Sequence, residues 1–175
     1  MVFYQQTQDS IKMELLFITP AEMTSSTILS GNTDTDKFLF CIANVQLTVI
    51  EPLLGTLLYD KLVDDITNNT LSGLYLKLYT DFVKPIVKNE SCAQYIEISS
   101  YMLDNGGLYK HTGENMEIVS KDEAQFLAGK WKTLAQAYIN RFYKWNCHNN
   151  LPEYKCHQDE VNAQKGINLN VGWRL

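Results

Sequence analysis

The segment SKDEAQFLAGKWKTLAQAYINRFYKW, residues 120–145, decides the fold class. Ser120 and Glu123 form a capping box, in which each side chain bonds the other residue's backbone N–H at a helix start. Behind it, Ala124, Leu127, Trp131, Leu134, Tyr138, Phe142 and Trp145 recur at helical spacing, the most regular apolar stripe in the chain. A long helix with one apolar face needs partners, so the segment predicts a helical bundle whose core this helix anchors. Gly129 interrupts it at a cost of about 1 kcal/mol relative to Ala: either its missing side chain allows another helix to approach closely, the favoured reading, or the helix simply tolerates it.

Upstream, Thr19-Pro20-Ala21-Glu22 supplies an N-cap, a proline at the first helical position and a Glu that reaches back, predicting a helix that stops near Gly31. Asp34 or Thr35 caps the next, where Phe38, Ile42, Val45 and Val49 share a face until Glu51-Pro52 ends it and Leu54-Gly55 turns the chain. A shorter helix runs from Thr56 through Leu58, Tyr59 and Leu62 to about Ile66, and Thr67-Asn68-Asn69-Thr70 reads as a surface loop. Ser72 then caps a long helix with Tyr75, Leu78, Tyr79, Phe82 and Ile86 on one face. Pro85 should kink or break it near Lys84, and its continuation through Tyr95, Ile96, Ser99 and Met102 ends at Gly106-Gly107.

Between there and Ser120, the runs Leu108 to His111 and Met116 to Val119 flank Thr112-Gly113-Glu114-Asn115, a hairpin composition. From Asn149 onward the helical period disappears into a polar tail. The fold class is therefore mainly α: an antiparallel helical bundle with a small β-hairpin insertion and an extended C-terminal arm. Residues 1–18 form an N-terminal extension, 19–148 the helical domain with its hairpin at 107–119, and 149–175 the tail and arm.

The arm closes the chain with Ile167, Leu169, Val171, Trp173 and Leu175 at strict two-residue spacing, the alternation of a half-buried strand. At about 3.3 Å per residue it reaches roughly 30 Å. Burying five such side chains is worth about 8 to 15 kcal/mol gross, while ordering nine backbone residues costs about 9 to 18. One arm alone is marginal, so docking depends on backbone hydrogen bonds to a sheet edge and on many arms acting together. It either docks on another chain or adds a third strand to the chain's own 108–119 ribbon.

The 175 residues suit one domain, and 45% hydrophobic with 20% charged residues is ordinary for a folded globular protein. No apolar run approaches the roughly 20 residues that span a bilayer, and the N-terminus lacks the basic region and apolar core of a signal peptide. Fifteen Lys and Arg against twenty Asp and Glu, a net charge of -5, argue against gripping a phosphate backbone. The cysteines Cys41, Cys92, Cys147 and Cys156 are scattered, which predicts reduced thiols in a cytosolic setting.

The search for chemistry is mostly negative. Cys147-His148 and Cys156-His157 offer zinc-ligand types, but structural zinc sites bring at least one pair at a spacing of about two to four residues. Helix-end and tail polar residues explain them better. Cys41, in an apolar run without a basic neighbour, reads as an inert buried thiol. Asp60, Asp64 and Asp65 read as a solvated helix face and not as an acid–base pair. Trp131, Tyr138 and Trp145 suggest a base-stacking platform, yet flanking positive charge is missing and core packing is the better reading.

The run Ile50-Glu51-Pro52-Leu53-Leu54-Gly55-Thr56-Leu57-Leu58-Tyr59-Asp60-Lys61-Leu62, set between a capped apolar helix and a long helix, resembles the head-to-tail connector (adaptor) proteins of tailed bacteriophages, particularly the ring proteins of crAss-like phages. The likeness spans about Leu16 to Asn149. It implies a virion protein, made in the host cytoplasm, that forms a ring, commonly a dodecamer, beneath the portal protein. Such a ring touches adjacent tail proteins and extends the channel through which DNA passes without specific binding. It also implies no catalytic residue, no cofactor and no metal, and makes Ile167, Leu169, Val171, Trp173 and Leu175 the partner-binding residues. A small intracellular helical module that binds one partner through the same arm is the alternative reading, and a metal-dependent enzyme built on the Cys-His pairs is a third.

Overall fold

Pro52 and Pro85 both lie inside helices, and the way each is accommodated shapes the molecule. The computed structural model describes residues 15–27, 35–99, 101–104, 107–110 and 120–154. Among them, α1 (Pro20–Ser26) is followed by α2 (Thr35–Val45), which widens into a π-helical turn (Gln46–Ile50) and continues as α3 (Glu51–Leu54). After α4 (Thr56–Thr67), α5 (Gly73–Leu78) likewise passes through a π turn (Tyr79–Val83) into α6 (Lys84–Ser99). A short antiparallel pair, β1 (Tyr101–Asp104) and β2 (Gly107–Lys110), precedes the long α7 (Lys121–Asn146).

The two π turns share one construction. In each, the residue before the proline donates its N–H five residues back, Glu51 to the Gln46 carbonyl and Lys84 to the Tyr79 carbonyl. Proline has no N–H to give, and its ring clashes with the carbonyl four residues earlier; a wider turn moves that carbonyl aside. Pro52 therefore does not end its helix. The helix continues through Leu54 and stops at Gly55, whose φ of 76° suits glycine and not a side-chain-bearing residue. The extra residue also re-aims the face: Phe38, Ile42 and Val45 are buried as expected, but Ile50 takes the inward place and Val49 is only partly buried.

The capping boxes form as expected, Thr19 with Glu22 and Ser120 with Glu123. Other boundaries differ. α1 ends at Ser26 and not near Gly31, because the hydroxyls of Thr24, Ser25, Ser26 and Thr27 bond the carbonyls of its last turns. Ser72 occupies the N-cap position of α5 without a side-chain hydrogen bond. α6 stops at Ser99, and Met102, expected to be helical, lies in β1.

β2 covers most of the run expected as the first strand of the ribbon, but its partner among the described residues is β1, in the register Tyr101 to Lys110 and Asp104 to Gly107. The expected second strand, Met116–Val119, falls outside the described residues, as does the arm with Ile167, Leu169, Val171, Trp173 and Leu175.

α6 is the central helix, flanked by α2 and α7. It runs antiparallel to α7: Lys132 meets Glu97 at one end, while Phe82, just before α6, packs on Phe142 and Trp145 at the other. The seam between them corrects the expected face of α7. Ala128 and Ala135 are buried, whereas Leu127 and Leu134, placed in the stripe by sequence, are exposed. Small residues let the two helix backbones approach, so they and not the leucines occupy the seam. Gly129 faces outward with nothing within 4 Å of where a Cβ would stand, so no helix packs on it.

Phe17 and Ile18, assigned by sequence to the N-terminal extension, are core residues. The buried Gln46 amide accepts from the Phe17 N–H at 2.6 Å and donates to the Leu15 carbonyl at 2.9 Å, as a neighbouring strand would. The Tyr79 hydroxyl donates to the Phe17 carbonyl at 2.8 Å. Gln46 and Tyr79 each open one of the two π turns, so both widened turns hold the same strap. The Phe17 ring lies 5.3 Å from that of Tyr59 and 6.0 Å from that of Tyr79.

Candidate functional site

A central helix covered on two sides leaves one strip open, and on α6 that strip is polar. Glu90, Gln94 and Glu97 run along it, between Phe40, Cys41 and Asn44 of α2 and Lys132 of α7, at the floor and walls of an open groove of about 420 Å³. The Asn44 amide donates to Gln94 at 3.0 Å, and the Lys132 ammonium binds Glu97 at 2.7 Å. Glu90 has no such partner: its Oε2 is shut off from solvent without a hydrogen bond. Burial pushes its carboxyl above the usual range, with Lys132 pulling it down and Glu97 pushing it up. Phe40, 64% exposed, and Ile98 form the apolar lip.

α7 carries a second exposed surface on its other side. Leu127, Leu134 (48% exposed) and Phe126 (68%) stand out from the body, and the Lys130 ammonium sits 4.8 Å above the Phe126 ring. At about 100° per residue, Lys130 and Lys132 point to opposite sides of the helix. One reaches into the groove and the other rides on the ridge.

A third feature lies at the α3–α4 corner, where Leu47 and Leu57 are exposed beside Glu51, Pro52 and Thr56 around an open groove of about 520 Å³. Glu153 reaches the same groove and accepts a hydrogen bond from the Tyr75 hydroxyl at 2.9 Å. Burial first, then Glu153, pushes the Tyr75 hydroxyl up to about 12.

The side chains singled out for chemistry are dispersed. Cys41 is buried, and desolvation pushes its thiol up to about 11, so it is un-ionised at neutral pH. Cys92 rises to about 12 for the same reason. Cys147 and His148 are exposed just past α7, and Cys156 and His157 lie outside the described residues. No cluster of three or more His, Cys, Asp or Glu able to hold a metal occurs among the described residues.

The aspartates do not all lie on a solvated face. Asp60 and Asp64 are exposed, but Asp65 is buried, paired with Lys61 and bonded by the Thr70 hydroxyl at 3.0 Å. The Lys61 hydrogen bond holds its carboxyl below the usual range. Trp131, Tyr138 and Trp145 pack against the core. Among the described residues, no helix is long and apolar enough to cross a membrane.

Glu90, Lys130 and the exposed apolar residues of α7 escape sequence reasoning. The one available signal is a doubled set of apolar positions in α7, Leu127 and Leu134 beside Ala128 and Ala135, more than one seam can bury. A family model described as a family of unknown function, DUF6712, matches residues 50–162, from the end of the first π turn past α7. No curated protein and no solved structure matches the chain.

Proposed function

The chain belongs to DUF6712, a family of unknown function, and we propose that it serves as a structural ring subunit at the head-to-tail vertex of a tailed bacteriophage. In this reading it joins the portal to the tail, extends the DNA channel and catalyses nothing. One observation carries the proposal: the helical body completes its core yet leaves large apolar side chains standing on separate faces, Phe40 of α2 with Ile98 of α6 and Phe126, Leu127 and Leu134 on α7. Exposed apolar faces of this kind mark surfaces that other chains cover, and a subunit within a ring has a neighbour on each side. The likeness of residues 50–62 to connector proteins supports the same reading, and the π-turned corner they form displays Leu57.

The terminal alternation supplies the axial contact. Ile167, Leu169, Val171, Trp173 and Leu175 would add to a sheet edge on the portal or an adjacent ring, and the net charge of -5 suits a wall along which DNA slides. Deleting Gly166 to Leu175 should leave thermal unfolding of the body little changed while abolishing assembly with the portal protein, read by native mass spectrometry of the co-expressed pair. A strict monomer, alone and with portal, would overturn the connector reading in favour of a single-partner helical module.

A further inference from the structure

The polar strip on α6 is incomplete within one chain. Its groove holds two carboxylates, Glu90 and Glu97, and one cation, Lys132, which is engaged by Glu97. Glu90 is left without an ion-pair or hydrogen-bond partner of its own among the described residues, and its Oε2 is shut off from solvent. A buried carboxylate in that state is costly unless a cation is brought to it.

The missing cation is present on the far side of the same molecule. Lys130 stands on the α7 ridge with no carboxylate partner among the described residues, resting on the Phe126 ring and flanked by Leu127 and Leu134. Ridge and groove are complementary in charge and in kind: a cation framed by apolar side chains, facing a carboxylate lipped by Phe40 and Ile98. They cannot meet within one chain, since helix geometry points Lys130 away from the side on which Lys132 enters the groove. They can meet between two.

We infer that the groove between α2 and α7 receives the α7 ridge of a second copy of this chain, head to tail, with Lys130 of the incoming copy supplying the cation that Glu90 lacks. The contact is heterologous: each copy offers a groove on one side and a ridge on the other, so the same contact repeats around a closed ring. The inference deepens the ring reading by assigning its lateral contact. Phe126 of the incoming copy would cover Phe40 and Ile98, taking three exposed apolar side chains out of water together.

Charge exchange tests it with the full-length chain. Sedimentation velocity over a concentration series should show self-association of the wild type that E90K and K130E each weaken by at least about tenfold in Kd. The double variant, and an equimolar mixture of the two single variants, should regain it, because in both an acidic and a basic side chain again face one another across the contact. Zero-length carbodiimide coupling of the wild type should yield an intermolecular isopeptide between Glu90 and Lys130, found by peptide mass spectrometry. F126S, at an exposed position, weakens association without touching the groove and covers the case in which E90K does not fold. A wild type that stays monomeric throughout, or single variants that associate as well as the wild type, would overturn the contact. The portal-binding test of the arm deletion reads a different surface, so the connector reading stands or falls separately.

Discussion

α6 and α7 are long neighbours packed along their length, yet they solve opposite problems. α6 is enclosed on nearly every side: Ile86, Val87, Asn89, Ser91, Cys92, Ala93 and Tyr95 are buried in directions that span the helix, and Glu97 and Ile98 alone are exposed. α7 buries only Ala128, Ala135 and Phe142 fully and leaves most of its circumference to solvent. A helix at the centre has no single apolar face to display, whereas one at the edge must have one. The edge helix has room for a second apolar surface, and there the molecule keeps side chains its own core does not use.

That contrast is sharpest at Phe142 and Leu134, two large apolar residues on the same helix. Phe142→Ala removes a fully buried ring that contacts Phe82, Trp145 and Tyr154, and should cost about 3–5 kcal/mol in chemical denaturation. Leu134→Ala should change stability by no more than about 0.5 kcal/mol. Equal losses would show that the exposed leucine belongs to the core after all.

Gly129→Ala tests the outward side of α7. Nothing stands where the new methyl would go, so the substitution should stabilise the chain by about 1 kcal/mol, raising Tm by roughly 2–4 °C for a protein of this size. A fall in Tm would reveal a neighbour packed on the glycine.

The smallest effect depends on pH and probes the open strip of α6. Burial raises the Glu90 carboxyl above its ordinary value of 4.5, so its contribution to stability is fully present below that value and is lost as the carboxyl ionises at higher pH. Glu90→Gln should therefore melt higher than wild type at pH 7 and equal to it near pH 4, by calorimetry on dilute protein. A difference independent of pH would assign the effect to shape and not to charge.

The same two helices show what the sequence makes legible. Capping is local chemistry, and Ser120 with Glu123, or Thr19 with Glu22, can be read from three residues' separation. Periodicity misplaces the seam of α7 by one position, at Leu127 and Leu134, because it favours large apolar residues, while closely packed backbones select the alanines beside them. The five-residue step from Val45 to Ile50 is invisible in the sequence, since a π turn follows from how a proline is accommodated in three dimensions and leaves no period of its own. The strand at Tyr101–Asp104 merges with the preceding helix in a sequence reading because Met102 continues its spacing. The groove is not legible at all: Glu90, Asn44 and Lys132 are far apart in the chain, and only the packing of three helices brings them together.

The strap at Leu15–Ile18 has a practical corollary. With its peptide groups held by the residues that open both widened turns, Phe17 is a plug inserted where the two proline-bearing helices meet. A cut placed at Thr19, which the capping box would recommend as a tidy start, would unseat that plug and leave the Gln46 amide facing an empty slot. Expression boundaries, affinity tags and fusion partners belong upstream of Leu15, with a spacer between them and the strap.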